Sequence, residues 1–266
     1  MSVRMYLLPS TYTDQPLTRF PVLYLLHGGG GKYTDWTSNT DVEALTAPTR
    51  LLVVMPAAIT SNMGGGLSTD GQTGVTTGWE TFHLTELRQL LERNWQAGQN
   101  RAIAGLSMGG FGVVTYAGRH PDLFQAVASY SGALDLRGLT ALIDDPKNLA
   151  HWGDLAAAVA NWGIYDPVKL IPRLRGIALY VSFGNGEPGP LDPGRTDVDE
   201  LEQVIGAGNE GFVAALAAAG IPVTVHAYGP GTHSWPYWER ELHASLPMLL
   251  QALGEPSTAT SASPGP

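Results

Sequence analysis

Three features of this chain could together cleave an acyl bond: a serine between glycines, a late loop histidine, and a run of bare glycine backbone. Gly105-Leu106-Ser107-Met108-Gly109 follows the apolar stretch Arg101-Ala102-Ile103-Ala104, which suits a buried strand. Residues 110–117 after it read as a helix. A serine on the sharp turn between strand and helix is presented as a nucleophile. That turn is strained and crowded, so it needs small residues two positions to either side. The hydroxyl then needs a base, and the base an orienting carboxylate, in the chain order serine, acid, histidine. After Ser107 come His120, His151, His226, His233 and His243. His120 precedes Pro121 at the end of the elbow helix and suits a cap, His226 lies inside a strand pattern, and His243 falls within the last helix. His233, in Gly231-Thr232-His233-Ser234-Trp235, sits on a loop just after the final strand, where a catalytic imidazole must hang.

Leu26-His27-Gly28-Gly29-Gly30-Gly31 directly follows another strand. Glycine backbone can approach a substrate oxygen closely and aim amide N–H groups at it. Gly29 is the expected first donor of an oxyanion hole, with Gly28 as the alternative, and the amide of Met108 the second. No Gly-x-Gly-x-x-Gly leads a βαβ unit with an acidic residue following, and the Gly-Lys-Ser/Thr phosphate loop is missing, so a nucleotide site is not supported. His27 has no second ligand at metal spacing and is expected to brace the loop. The acid is open on these grounds. Glu187, Asp192, Asp197, Asp199, Glu200 and Glu202 all follow the strand at residues 177–183, and topology alone favours Glu187 or Asp192.

The elements that must position these residues alternate. Strand-like runs occupy residues 3–8, 22–26, 51–55, 126–129, 177–183 and 223–228. Helical spacing marks residues 79–95, 199–219 with an interruption at Gly206 and Gly208, and 237–253. This pattern predicts an α/β fold whose mostly parallel central sheet has helices on both faces. Residues 57–78 are rich in Gly, Ser, Thr and Asn and read as a long loop rimming the site. Residues 132–174 read as an irregular insertion or cap ending in a short helix near 167–174, and residues 254–266 as a disordered tail. One domain over residues 1–253 is expected.

Composition narrows the partners. A formal charge of −9 and a pI near 5.1 argue against nucleic acid or an anionic membrane surface. The absence of Cys excludes disulfides and thiolate chemistry and is compatible with either redox compartment. No apolar run is long enough to span a bilayer. The segment Met1 to Pro9 is too short and too soon polar to be a signal peptide, and reads as a strand that begins abruptly. Location and oligomeric state stay open.

These motifs in this order resemble the esterase D and mycolyltransferase branch of the α/β-hydrolases, a group that includes secreted actinobacterial enzymes. The resemblance runs through Tyr24-Leu25-Leu26-His27-Gly28, Trp79-Glu80-Thr81-Phe82, the Ser107 elbow and His120-Pro121-Asp122-Leu123-Phe124. It continues through Asp166-Pro167, Ile171-Pro172-Arg173-Leu174, Gly184-Asn185-Gly186 and Gly231-Thr232-His233-Ser234-Trp235-Pro236-Tyr237-Trp238. It implies an α/β-hydrolase fold. It also implies that the acid is the glutamate of a Leu-Glu pair, here Leu201-Glu202, with Glu187 the position used by related esterases. Mycolyltransferases carry an aspartate before the oxyanion glycine and an arginine soon after, where this chain has His27 and Gly30; water is therefore the expected acceptor.

Together these readings predict a serine carboxylesterase acting on a small-molecule ester through an acyl-enzyme, with Ser107, His233 and Glu202 catalytic and Gly29 and Met108 as the oxyanion hole. Gly28, Trp36 and Trp235 are expected to line the substrate cleft. No metal or organic cofactor is implied. The alternatives are an acyltransferase passing the acyl group to an alcohol or sugar, and a non-catalytic binding protein on the same fold.

Overall fold

The computed structural model describes residues 3–6, 8–9, 12, 18–57, 78–135 and 164–256. Its strands are β1 (Val3–Tyr6), β2 (Phe20–Leu26), β3 (Leu52–Pro56), β4 (Ala97–Leu106), β5 (Ala126–Tyr130), β6 (Ala178–Phe183) and β7 (Thr224–Ala227). β2 and β3 are buried at every position, because a strand covered by helices on both faces carries apolar side chains in both directions. Alternate residues enter opposite cores. Phe20, Val22, Tyr24 and Leu26 join one, while Leu23 and Leu25 join the other.

The strands form one seven-stranded sheet in the order β1-β3-β2-β4-β5-β6-β7. β1 runs antiparallel on β3, and every other pairing is parallel. The strand order reverses between β2 and β4, and ligands of open parallel sheets bind beyond the carboxyl ends of strands at such a point. Register aligns those ends: Leu26 pairs with Gly105, Leu106 with Tyr130, Tyr130 with Ser182, and Ser182 with His226.

The α-helices among the described residues are α1 (Asp35–Asn39), α2 (Val42–Thr46), α3 (Trp79–Thr81), α4 (Arg88–Asn94), α5 (Met108–Arg119), α6 (Pro167–Leu170), α7 (Glu200–Ala218) and α8 (Trp235–Ala252). A π-helical stretch, Phe82–Leu87, joins α3 to α4, so the amphipathic segment expected from residue 79 is continuous but under-wound in its middle. It buries His83, whose Nε2 bonds the Ala57 carbonyl at 2.9 Å and whose Nδ1 meets the Tyr116 hydroxyl at 3.1 Å. Burial pushes the His83 pKa down to about 4, against the opposing pull of the Ala57 carbonyl.

Phe212 and Leu216 of α7 share a core with α5 on one face of the sheet; Trp238, Leu242, Leu246 and Leu249 of α8 pack on the other with Trp36 and Val42. One expectation is corrected here. α7 runs unbroken through Gly206 and Gly208. A Cβ on Gly206 would overlap the Gly184 carbonyl oxygen, so this glycine permits close approach of the helix to the turn after β6 and does not interrupt it. α1 and α2 had no counterpart in the sequence pattern. Residues 58–77 of the rim loop, 136–163 of the insertion and 257–266 of the tail lie outside the described residues, as does His151. No helix among the described residues is long and apolar enough to cross a membrane.

Candidate active site

Ser107 links β4 to α5 with φ 54° and ψ −119°. A non-glycine residue held there stores about 1–3 kcal/mol, so its surroundings must fix it. Its N–H donates to the Tyr130 carbonyl at 3.0 Å and its carbonyl accepts the Phe111 N–H at 3.0 Å. The small flanking residues have a direct cause. A Cβ on Gly105 would lie 2.6 Å from the Gly109 carbonyl oxygen, and one on Gly109 would lie 2.5 Å from the carbonyl oxygens of both Leu26 and His27. The elbow is thus wedged against the end of β2.

That contact brings the glycine run to the serine. A Cβ on Gly28 would stand 3.4 Å from Ser107 Cβ and 2.8 Å from Leu106 Cδ1, whereas Gly29 is exposed with no atom within 4 Å of such a position. Met108 opens α5, so its amide belongs to the first turn, whose N–H groups have no partner inside the helix and sit at the positive end of its dipole. His27 is buried, and its Nδ1 bonds the Gly28 carbonyl at 2.7 Å. Burial lowers its pKa despite that carbonyl and Asp35, so a neutral imidazole braces the glycine loop.

On the other side of the elbow, Ser131 follows β5 with φ 45°. Its hydroxyl donates to Glu202 Oε1 at 2.8 Å, and the Gly184 N–H donates to the same oxygen at 2.7 Å. The Tyr228 hydroxyl adds a third, longer bond at 3.4 Å. Burial and the Glu202 charge raise the Tyr228 pKa, so its phenol stays a donor. The second oxygen of Glu202, Oε2, meets His233 Nδ1 at 2.6 Å. Glu202 is fully buried in the first turn of α7, so its carboxylate is anchored by three donors and leaves one oxygen for the imidazole. An ionised carboxylate only accepts, which assigns the Nδ1 proton to His233 and leaves Nε2 as the basic nitrogen. That Nε2 is buried and has no hydrogen-bond partner. Ser107 and this imidazole are linked through Tyr130, Ser131 and Glu202 without a direct hydrogen bond between them; in unliganded sites such bonds are often long.

The remaining acid candidates take other places. Asp192 accepts from Thr232 Oγ1 at 2.5 Å, Tyr237 Oη at 2.7 Å and the Gly189 N–H at 2.9 Å. Asp199 accepts the backbone N–H groups of Glu202 and His233, both at 3.1 Å. Glu187 is exposed and bonded to Asn185, Asp197 is exposed beside Arg195, and Glu200 is exposed. Asp192 and Asp199 therefore hold the loop that carries His233 without touching its ring. Sequence reasoning had weighed both only as rivals for the acid. A legible signal existed for Asp199, an N-cap residue with a glutamate three positions on.

The His233 ring stands edge-on to Trp238 at 4.9 Å; Trp238 meets Trp235 at 5.4 Å, and Trp235 meets Trp36 at 5.3 Å. Trp235 is partly exposed. Trp36 is fully buried against Tyr130 and Trp235, which corrects the expectation that it lines the cleft: it backs Trp235 from inside the core. Of the other histidines, His120 Nε2 bonds the buried Glu80 at 2.5 Å and His226 Nδ1 bonds the buried Glu241 at 2.8 Å. His243 Nε2 bonds Asp41 at 2.7 Å and, with Glu239, completes a surface group whose three ligand atoms lie within 4.8 Å of one another.

The sequence matches the family model described as "Putative esterase" over residues 1–249. It is 32% identical over 251 residues to the esterase Rv1288 of Mycobacterium tuberculosis, an alignment covering 85% of this chain and 51% of that protein. The chain thus spans about half the length of that relative. It is 33% identical over 250 residues to the diacylglycerol acyltransferase/mycolyltransferase Ag85B of Mycolicibacterium smegmatis, covering 87% and 77% respectively. Among solved structures, the Staphylococcus aureus fluorophosphonate-binding serine hydrolase F superposes with a TM-score of 0.72 at 19% identity, covering 95% of this chain and 97% of that one. That likeness concerns the fold, which is the α/β-hydrolase fold.

Proposed function

Since this chain belongs to the esterase family, we propose that it is a serine carboxylesterase working through an acyl-enzyme. Ser107 Oγ attacks the ester carbonyl carbon while His233 Nε2 takes the hydroxyl proton. The amides of Gly29 and Met108 stabilise the oxygen that gains charge, each worth about 10²–10³ in rate. Glu202 keeps the Nδ1 proton in place and stabilises the imidazolium. As the carbon–oxygen bond to the alcohol breaks, His233 returns the proton to the leaving oxygen. A water deprotonated by the same nitrogen then attacks the acyl carbon, and Ser107 leaves with that proton.

The observation that carries this reading is the 2.6 Å bond between Glu202 and His233 Nδ1, which leaves a buried, unpartnered Nε2 on an imidazole tied through Glu202, Ser131 and Tyr130 to a strained serine turn. A protein that only binds ligands needs none of these three features. The acyltransferase reading, in which an alcohol replaces water, has the likeness to Ag85B behind it. Against it, His27 is buried and engaged with Gly28, so no carboxylate stands at that position to hold a sugar hydroxyl.

The test is covalent labelling with an activated fluorophosphonate, followed by turnover of nitrophenyl esters of rising chain length with and without glycerol or trehalose. Modification at Ser107 and release of free acid are expected. A folded protein that leaves Ser107 unmodified overturns the enzyme reading, and acyl-glycerol or acyl-sugar as the main product moves it to the transferase.

A further inference from the structure

We propose that Asp199 is a positioning residue that sets the distance between the base and its acid; this rests on the reading of Ser107, His233 and Glu202 as the acylating machinery. His233 and Glu202 lie 31 positions apart in the chain, on a loop and on a helix respectively. Asp199 spans both. Its Oδ1 accepts the Glu202 N–H and its Oδ2 accepts the His233 N–H, each at 3.1 Å. The two oxygens of one rigid carboxylate therefore hold the two backbones from which the 2.6 Å side-chain bond is built.

Helix capping explains only half of this. Asp199 is the N-cap of α7, and the bond to the Glu202 amide is the usual capping bond, which a serine hydroxyl would supply as well. The second oxygen, committed to His233, has no capping role. Its own support is in place: the Asp199 N–H donates to the Gly186 carbonyl at 2.7 Å, and Arg195 Nη1 lies 3.3 Å from Oδ2. Burial alone would raise the Asp199 pKa; the two amide bonds, with Arg195 and His233, outweigh it and hold the carboxyl below its ordinary value, so the clamp stays ionised at neutral pH. Asp192 anchors the preceding residue through Thr232 Oγ1, which leaves the His233 amide to Asp199.

The design of the test separates clamp from cap. Asp199→Ser keeps one oxygen for the helix and removes the one for His233; Asp199→Asn keeps the shape but offers a single acceptor; Asp199→Ala removes both. Each is compared with the wild type for kcat and KM on a nitrophenyl ester, for the rate of fluorophosphonate labelling at Ser107, and for Tm. Asp199→Ser and Asp199→Asn are expected to retain Tm within a few degrees, lose about ten- to a hundredfold in kcat and in labelling rate, and keep KM within about twofold, since misplacing a catalytic group by an ångström costs on that scale. Wild-type kcat in these two variants, or a loss confined to KM or proportional to the loss in Tm, overturns the proposal. A wild type that neither labels nor turns over indicts the reading of the site itself, which the same assay reveals separately.

Discussion

Two glutamate–histidine pairs in this molecule are nearly identical in contact and opposite in setting. Glu202 meets His233 Nδ1 at 2.6 Å, and Glu241 meets His226 Nδ1 at 2.8 Å; both carboxylates are fully buried on a long helix, Glu202 in its first turn and Glu241 further along. Glu241 spends its remaining capacity on the Tyr180 hydroxyl and on Arg240 Nε, tying α8 to the sheet, and His226 is almost half exposed on the edge strand β7. Glu202 takes its other bonds from neutral donors, and His233 is nine-tenths buried on a loop beyond the carboxyl ends of the strands. A buried acid on an imidazole is therefore a common structural joint. It is suited to chemistry where the far nitrogen is buried without a partner and the same hydrogen-bond network leads to a strained serine turn.

That contrast breaks first at the serine. Ser107→Ala should lower kcat by at least about 10⁴-fold with unchanged Tm, and His233→Ala should lower kcat as much but also lower Tm, because the lost ring is buried against Trp238 and bonded to the buried Glu202; steady-state kinetics and thermal melts check this. The pairs themselves come next. Glu202→Gln should lower kcat by about 10²–10⁴-fold, because the wrong imidazole tautomer is then favoured. Glu241→Gln should leave kcat within about twofold and instead lower stability by about 1–3 kcal/mol, the scale for weakening a buried, charge-assisted network. Equal kinetic losses in the two variants would erase the distinction, and a neutral Glu202→Gln beside a damaging Glu187→Gln would move the acid.

A third imidazole sharpens the comparison because only neutral groups partner it. His83 has a folded pKa of about 4, below the ordinary value of 6.5 expected in the unfolded chain. Between those values the unfolded chain binds a proton the folded one refuses, so stability is intact above pH 6.5 and falls as pH drops toward 4, by on the order of 3 kcal/mol from this group. Denaturant melts across that range should show the loss, and His83→Gln, which cannot take up the proton, should flatten it. The smallest effect belongs to Gly29→Ala. With nothing within 4 Å of the new methyl and the amide retained, Tm should not move and kcat should change less than about threefold.

The sheet and its helices were legible because apolar runs and helical spacing report burial directly. The parts that could not be read are those set by contact across the chain. Gly206 looks like a break, yet its place is fixed by the Gly184 carbonyl in a segment 22 residues earlier. The under-wound, π-helical stretch around His83 carries no local signature. At the site, Gly105, Ser107 and Gly109 were readable because one turn imposes their spacing. Asp192, Asp199 and Glu202 were not separable by residue type, since each is a carboxylate after the same strand. Only the meeting of the start of α7 with the loop after β7 decides which carboxylate touches the ring, which holds its amide and which holds its neighbour's hydroxyl. Trp36 was misjudged for the same reason, because a large aromatic near a loop can face either way.

The backward-turned dihedral of Ser107 has a consequence for how this protein can be improved. Any side chain there works against the fold, and glycine, which tolerates φ 54°, would not. Ser107→Gly should therefore melt above the native protein, by about 1–3 kcal/mol in calorimetry, while being inert toward esters. Selection for heat resistance alone would drift toward discarding the hydroxyl, so any thermostabilisation campaign on this scaffold has to screen for turnover at every round.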